Sequence, residues 1–199
     1  MQTPTRKPTP TPEATMMLKP TLWRTCRVLA NRTRLRLLQD LLRQPGQRVT
    51  ELALCLGLQP SVVSRYLREL NARGLLEARR TGRFVAYHPV PDSSVPQAGP
   101  LLAALRRTMA RQGNPVDYIF RQVTALTHPR RVVILAVLNR KSSRLWELRR
   151  TTGISEPALL RHLAKLKSRG FIRHEASRYA LQPHLPPLAE ALLRMVDGE

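Results

Sequence analysis

The sequence predicts a mainly helical protein with small β-hairpins (α+β), in which one arrangement of helices and a hairpin occurs twice along 199 residues. The first observation behind this prediction is an internal repeat. "LGLQPSVVSRYLRELNARGLL" at 56–76 returns in altered form as "GISEPALLRHLAKLKSRGFI" at 153–172. The second is that apolar residues in each copy recur first at helical and then at strand spacing. A repeat of about 70–95 residues is too long for a solenoid unit and indicates a duplicated domain.

Two helices are predicted at the start of the first copy, which spans residues 21–92. Leucines recur at helical spacing over 33–43, and Gln-Pro-Gly at 44–46 ends that helix. Thr50 is the expected N-cap of a short second helix, which runs through Leu56.

A third helix is predicted for residues 60–73. Val63, Leu67 and Leu70 lie at positions i, i+4 and i+7, so they form one stripe that we expect to be buried. Gly74 follows the helix and suits a left-handed residue just past its end.

A hairpin follows the third helix, because the apolar period changes there. Thr81-Gly82 separates two strand-like runs, and Phe84, Val85 and Tyr87 lie on the returning one. Helix, short helix, turn, helix and hairpin, in that order, is the pattern of a winged helix-turn-helix domain.

The second copy repeats the same order of elements. Its helices are predicted at 131–138, 145–151 and 157–169, and a shorter hairpin at 175–177. The prediction is therefore of two tandem winged helix-turn-helix domains joined by helices.

The chain divides into four segments on this interpretation. Residues 1–20 are rich in Pro and Thr and are predicted to be a disordered tail, since Pro lacks a donor and restricts the residue before it. The first domain spans 21–92, a helical linker 93–114 and the second domain 115–199. Helices that flank the two domains are expected to pack on each other, and they are predicted at 99–112, 115–126 and 186–196.

The charge of the chain points to a polyanionic partner. Lys and Arg total 34 against 13 Asp and Glu, which gives a formal net charge of +21. A surplus of eight positive charges falls in 21–92 and another of eight in 114–199. Such an even surplus favours double-stranded DNA as a partner of both copies, and the alternative is a basic protein from an arginine-rich genome.

Other classes of protein find little support in the sequence. Cys26 and Cys55 form no disulfide framework, so a reducing compartment is the default. No apolar run reaches the roughly 18–20 residues that span a bilayer, and residues 1–20 lack the apolar region of a secretory signal. There is no Gly-rich phosphate loop, nucleophile elbow or pair of carboxylates. We expect a cytoplasmic, nucleoid-associated protein that is not an enzyme and needs no cofactor.

The third helix of the first copy is predicted to read DNA. The major groove is about 12 Å wide and admits one helix that is buried on one side and polar on the other. Arg65 can fork onto guanine, Gln59 can reach an adenine edge, and arginines at the hairpin tip suit phosphates or the minor groove. The alternative for the helix arginines is a solvated face. The predicted contacts are Gln59, Ser61, Val62, Ser64, Arg65, Arg68, Arg79, Arg80 and Arg83.

The second copy has fewer residues that can read a base. Its predicted outward positions are Pro157, Ala158, Leu160, Arg161 and Ala164. Arg161 and the nearby Lys165 are its predicted DNA contacts. This copy therefore binds DNA weakly, positions the protein on phosphates, or serves mainly as a packing partner.

The residues at 29–90 closely resemble the ArsR-like family of prokaryotic winged-helix repressors, and those at 126–183 do so recognisably. The resemblance rests on "LANRTRLRLLQDLL" and "VTELALCLGLQPSVVSRYLRELNARGLLEARRTGRFVAYHPV". It implies homodimers in which flanking helices form the dimer and two recognition helices read a palindromic operator. One chain would then carry both halves as a pseudo-dimer, and two chains could also pair.

The same family is known for metal sensing, which the residues here do not support. The resemblance implies a Cys-x-Cys near the start of the short helix, but 49–53 contains no thiol, and Cys55 falls a turn later. The segment 99–112 has neither Asp nor His, so it lacks the ligands of the family's other site. No metal is predicted, because Cys26 and the five histidines show no ligand spacing either.

Three functions remain open at this point. The leading hypothesis is a sequence-specific DNA-binding transcriptional regulator, which in this family is most often a repressor. The alternatives are a tandem winged-helix adaptor that binds proteins, and a non-specific nucleoid or RNA-binding protein. The lack of an aromatic stacking platform disfavours single-strand binding.

Overall fold

The computed structural model describes residues 21–82, 84–111 and 113–196. The predicted disordered tail at 1–20 lies outside these ranges. Within them the structure confirms the α+β fold class. Most of these residues are helical, and the strands form two small antiparallel sheets.

The first copy contains four helices and a hairpin among its described residues. Pro60 begins the fourth helix at a position where its missing N–H costs nothing. The elements are α1 (Leu22–Leu29), α2 (Arg32–Arg43), α3 (Val49–Leu56), α4 (Pro60–Asn71), β1 (Glu77–Thr81) and β2 (Phe84–His88).

The second copy repeats this order after a connecting helix. Its strands form a three-stranded sheet in the order β3-β5-β4, whereas the first copy has only a single bridge from Arg48 to Ala86 in place of β3. The elements are α5 (Ala98–Arg111), α6 (Pro115–Val123), α7 (Pro129–Arg140), β3 (Ser143–Arg144), α8 (Leu145–Thr152), α9 (Glu156–Ser168), β4 (Ile172–Glu175), β5 (Arg178–Leu181) and α10 (Pro187–Val196).

The duplication extends to individual hydrogen bonds. Nε of Arg34 donates to the carbonyl oxygen of Val28 at 2.5 Å, and Nε of Arg131 donates to that of Ala125, also at 2.5 Å. Both residues of the second pair lie 97 positions after those of the first. An arginine on the second helix of each copy thus ties down the end of the helix before it.

The short helix α3 begins earlier than the sequence predicts. Its N-cap is Arg48 rather than Thr50, because the carboxylate of Glu51 accepts a hydrogen bond from the backbone N–H of Arg48 at 2.8 Å. Glu147 and the N–H of Arg144 form the same contact in the second copy, at 2.5 Å. A glutamate three residues into a helix thereby satisfies a donor that the helix leaves free.

Gly74 lies in the turn after α4, in a backbone conformation that suits glycine. Its φ is +71°, in the left-handed region, and its amide donates to the carbonyl of Asn71. A Cβ at this position would lie 3.0 Å from Val95 Cγ2 and 3.1 Å from Asp92 Cβ. The glycine therefore serves both the turn and the close packing of the segment that leads to α5.

One apolar core runs through both copies. The stripe Val63, Leu67 and Leu70 is fully buried in it, as predicted. Helices from different copies also contact each other: α1 packs on α6, α5 on α10, and α2 on α6. The last contact includes an ion pair between Arg32 Nε and Asp117 Oδ1 at 2.5 Å and the Arg32 guanidinium 4.0 Å from the Phe120 ring centroid.

No helix among the described residues is both long and apolar enough to cross a membrane.

Candidate nucleic-acid interface

The outward side of α4 carries the residues that the sequence predicts as DNA contacts. Ser61, Arg65 and Arg68 are exposed, and Ser64 and Val62 are half-buried. Gln59, the N-cap residue just before the helix, is also exposed. Burial of the opposite stripe fixes this orientation, since one face of the helix cannot turn outward without exposing the other.

An open groove lies beside this face, between α3, the start of α4 and the hairpin. The guanidinium of Arg48 sits 4.4 Å from the centroid of the Phe84 ring, at the edge of the groove. Arg68 extends over its own helix, where Nε is 3.4 Å from the carbonyl oxygen of Ser64. The groove is lined by Arg48, Val49, Thr50, Pro60, Ser61, Ser64, Arg68, Phe84, Val85 and Tyr87.

The phenol of Tyr87 reports the environment at the bottom of this groove. Burial raises the pKa of Tyr87, and the nearby positive charge of Arg68 partly opposes that shift. The phenol of Tyr87 thus stays neutral, and Arg68 is the cation whose charge acts on its pKa. The groove combines an apolar floor with a cationic rim.

The two wing arginines that the structure describes point to opposite faces of the hairpin. Arg79 and Arg80 are successive residues of β1, and side chains alternate along a strand. Arg80 pairs with Val85 and Arg79 with Ala86 across the strands. Both Phe84 and Val85 line the groove, so each face of the hairpin carries a residue that lines it. Arg79 differs from Arg80 by its ion pair with Glu77, with Nη2 2.8 Å from Oε2. The predicted contact Arg83 lies outside the described residues.

Arg34 and Tyr66 hold α4 against the rest of the first copy. The Arg34 guanidinium lies 5.2 Å from the Tyr66 ring centroid and forms an ion pair with Glu69. The guanidinium of Arg65 lies 5.2 Å from the same ring. The end of the Arg65 side chain thus lies beside an aromatic ring, and the side chain stays exposed.

The second copy presents a more apolar surface at the equivalent place. Leu160 is 42% exposed, Ala164 and Arg161 are exposed, and the rings of His174 and Tyr179 stack at 4.2 Å. The groove between α9 and the hairpin is lined by Leu160, Leu163, Ala164, Lys167, His174 and Tyr179. Apolar side chains here replace the serine and arginine that α4 offers.

One residue of α9 is not placed as the sequence predicts. Ala158, predicted to face outward, is 4% exposed and belongs to the apolar core, which its small apolar side chain can join. Lys165 lies away from Leu160 and Ala164, on the flank of α9 that faces α7, where its charged neighbours are Arg131 and Arg169. Arg161 alone of the two predicted contacts in this copy lies on the outward side.

Several residues that line the groove are not among the contacts that the sequence predicts. They include Arg48, and also Thr50, which the sequence assigns to a helix cap. The signal for Arg48 was the repeat itself, since Arg144 occupies the same place in the second copy. The aromatic partner of Arg48, Phe84, lies 36 residues further along the chain, so their contact requires the fold.

Two family models match the chain, one in each copy. Residues 31–83 match the model of the MarR family, and residues 128–174 match that of the bacterial regulatory protein, arsR family. The first match runs from the start of α2 into the hairpin, and the second from the start of α7 into β4. The chain carries two tandem winged helix-turn-helix regulator domains. The ArsR resemblance thus holds for the second domain, while the first domain matches the MarR family.

DNA-binding transcriptional regulation is the function that both families support, and neither is a family of enzymes. No curated protein matches the chain. Among residues 21–82, 84–111 and 113–196, no three His, Cys, Asp or Glu side chains are grouped so as to hold a metal ion. Cys26 is buried in the core, and Cys55 is exposed near the end of α3.

Proposed function

We propose that the protein is a sequence-specific DNA-binding repressor whose first domain reads the major groove with α4. The observation that carries this proposal is the exposed face of α4, with Ser61, Arg65 and Arg68 beside a cation-rimmed groove. A helix that is buried on one side and carries arginine and serine on the other fits a major groove.

Specificity would come from a few side chains on this face. Arg65 donates two hydrogen bonds to guanine O6 and N7, and Gln59 reaches an adenine edge at the start of the helix. Ser61 and Ser64 contact bases or phosphates, and Val62 contacts a thymine methyl group. Arg68, Arg80 and Arg83 neutralise backbone phosphates, and Arg79 does so once it leaves Glu77.

The second domain would contribute orientation more than sequence reading. Arg161 is exposed on the outward side of α9 and suits a phosphate, as does Lys165 on its flank. Leu160 and Ala164 can contact only thymine methyl groups. We place the domains at 21–92 and 115–199, with 93–114 as the helical linker, in a protein that works in the cytoplasm on chromosomal DNA.

The pairing of equivalent helices supports a pseudo-dimer within one chain. Helix α1 packs on its counterpart α6, and α5 packs on its counterpart α10. An element that touches its own counterpart is what a two-fold arrangement requires, because such an interface uses the same patch on both sides. Sedimentation of the free protein and of its DNA complex would show one chain per site on this proposal, and a homodimer would show two.

Selection from a random duplex library tests the proposal. We expect the wild-type protein to enrich one motif, and its affinity for that motif to fall steeply as salt rises, because phosphate contacts release counterions. Reporter transcription should fall when the motif overlaps a promoter. Enrichment of no motif would reject sequence-specific reading.

The exposed apolar groove of the second domain supports one alternative, a protein-binding adaptor. The side chains of Leu160, Leu163 and Tyr179 at this groove resemble a docking surface more than a DNA-reading face. Weak DNA binding with no motif, together with a partner lost on Leu160→Asp, would favour the adaptor over the regulator.

A further inference from the structure

A cluster of basic side chains lies between α7 and α9 of the second domain. The rings of His128 and His162 are the centre of the cluster, with centroids 4.6 Å apart. Six residues in the cluster have a lowered pKa or lower that of a neighbour: His128, Arg130, Arg131, His162, Lys165 and Arg169. Arg27 of α1 and Arg161 have smaller effects.

At the equivalent position in the first domain, the positive charge is balanced by a carboxylate. Arg34 of α2 forms an ion pair with Glu69 of α4, and Tyr66 stands beside the pair. In the second domain Arg131 occupies the place of Arg34, but Lys165 occupies that of Glu69. A carboxylate has thus been replaced by a second cation. Likewise, His162 and His128 stand where the first domain has Tyr66 and Asn31.

Arg131 keeps its structural contacts but not its anionic partner. Its Nε donates to the carbonyl oxygen of Ala125, and its Nη2 lies 2.6 Å from the hydroxyl of Thr127. The nitrogen of Arg34 that binds Glu69 is Nη1. Among the described residues, Nη1 of Arg131 has no acceptor. The Nη1 side of the guanidinium is therefore left for a group that the described part of the chain does not supply.

Each positive charge in the cluster makes protonation of its neighbours less favourable. Burial and the neighbouring cations lower the pKa of Lys165, of Arg131 and of His128, and they lower that of His162 to about 4. In the described part of the chain no carboxylate contributes to any of these shifts. Partly buried cations without a counter-charge cost free energy of folding, and an external anion offsets that cost.

We propose that this cluster binds a phosphate-like oxyanion between Arg131 and Lys165, beside the two histidines. Arg131 and Lys165 supply positive charge opposite a tetrahedral oxyanion, and the imidazole rings supply further donors for its several acceptor oxygens. The oxyanion is either a free phosphate or a phosphate of the DNA backbone. In both cases the site exists in the free protein. Phosphate binding at this site can therefore be tested independently of whether α4 reads DNA.

Inorganic phosphate is the probe for this site. Addition of phosphate to the full chain, against chloride at equal ionic strength, should shift the ring signals of His128 and His162 saturably in an NMR titration. It should also raise the pKa of His162, because the anion favours the imidazolium form over the neutral ring. The cations that face these rings come from α7, α9 and α1, so the shift reports the whole cluster.

Lys165→Glu rebuilds the arrangement of the first domain and should abolish the effect. We expect its affinity for phosphate to fall about tenfold or more, since an attractive charge becomes a repulsive one. Its melting temperature without phosphate should match or exceed that of the wild type. Lys167→Glu, the same change at an exposed site on the same helix, should bind phosphate as the wild type does. Lys165→Gln provides a second variant if the first does not fold.

Two results would overturn the proposal: no saturable shift in the wild type, or equal shifts in the wild type and in Lys165→Glu. A third measurement assigns the source of the anion once binding is established. If a bound DNA duplex displaces phosphate from the cluster, the site holds a backbone phosphate. If duplex and phosphate bind together, it holds a free oxyanion.

Discussion

The guanidinium of Arg34 on α2 is hydrogen-bonded to the carboxylate of Glu69 on α4. Only 14% of the Arg34 side chain is exposed, against 37% of that of Glu69. The pair therefore joins the helix that carries the proposed reading face to the helix that anchors it in the core. Removal of the acid leaves a largely buried cation without an anionic partner.

Glu69→Gln should lower the free energy of unfolding by about 1–2 kcal/mol, because breaking a partly buried ion pair leaves Arg34 uncompensated. Urea denaturation measures the difference. Glu190→Gln is the control, since it breaks the exposed pair of Glu190 with Arg194 and should cost less than about 0.5 kcal/mol. Equal losses in the two variants would contradict the anchoring role.

Gly74→Ala should destabilise the protein more than Gly170→Ala. Both glycines have positive φ, so each substitution costs about 1–2 kcal/mol of backbone strain. A Cβ at Gly74 also meets Val95 at 3.0 Å, whereas one at Gly170 meets no atom within 4 Å. The crowding should add about 1 kcal/mol or more at Gly74. Thermal unfolding of the two variants checks the order, and a larger loss at Gly170 would contradict it.

The stability of the second domain should depend on pH through His162. Its pKa is lowered from 6.5 to about 4 by burial and then by the charges of His128 and Arg131. The unfolded chain therefore binds the proton more readily than the folded one, so stability is lost as pH falls from about 6.5 towards 4. His162→Tyr, which installs the residue of the first domain, should lose less stability over that window. Unfolding measured at pH 7 and pH 4.5 tests this, and identical losses would count against the cluster.

The two wing arginines should differ in their effect on the salt dependence of DNA binding. Arg80→Ala should reduce the slope of log affinity against log salt by about 1, as expected for one lost phosphate contact. Arg79→Ala should change it less, because Glu77 already neutralises much of that charge. Fluorescence anisotropy across a salt series measures both slopes. A larger effect at Arg79 would show that the opposite face of the hairpin contacts DNA.

The repeat and the apolar period were sufficient to predict the fold. The stripe Val63, Leu67 and Leu70 fixed which side of α4 is buried, and the alignment of the copies transferred that assignment to α9. Both predictions depend on local spacing, which survives without knowledge of the tertiary structure. The predicted start of α3 is wrong because the carboxylate of Glu51 accepts a hydrogen bond from the backbone N–H of Arg48, which places the cap two residues before Thr50. The spacing of apolar residues does not show this contact.

The parts of the site that sequence could not predict depend on contacts between distant residues. Arg79 reads as a free cation in the sequence, yet it is paired with Glu77 because the two share one face of a strand. The effect of Arg169 and of Arg131, 34 residues away in the chain, on the pKa of Lys165 likewise depends on the fold. The basic cluster in the second domain depends on the same kind of distant contact, since His128 and His162 come together from the start of α7 and from α9.

The central claim is that the exposed face of α4 reads the bases of DNA. The affinity of Arg65→Ala for a selected duplex tests this claim most directly. Arg107→Ala, an exposed arginine on α5, is the matched control. We expect Arg65→Ala to bind the selected duplex about 10- to 100-fold more weakly, with its preference relaxed at one base pair, and to bind a scrambled duplex as the wild type does. Unchanged affinity and unchanged preference in Arg65→Ala would contradict the account.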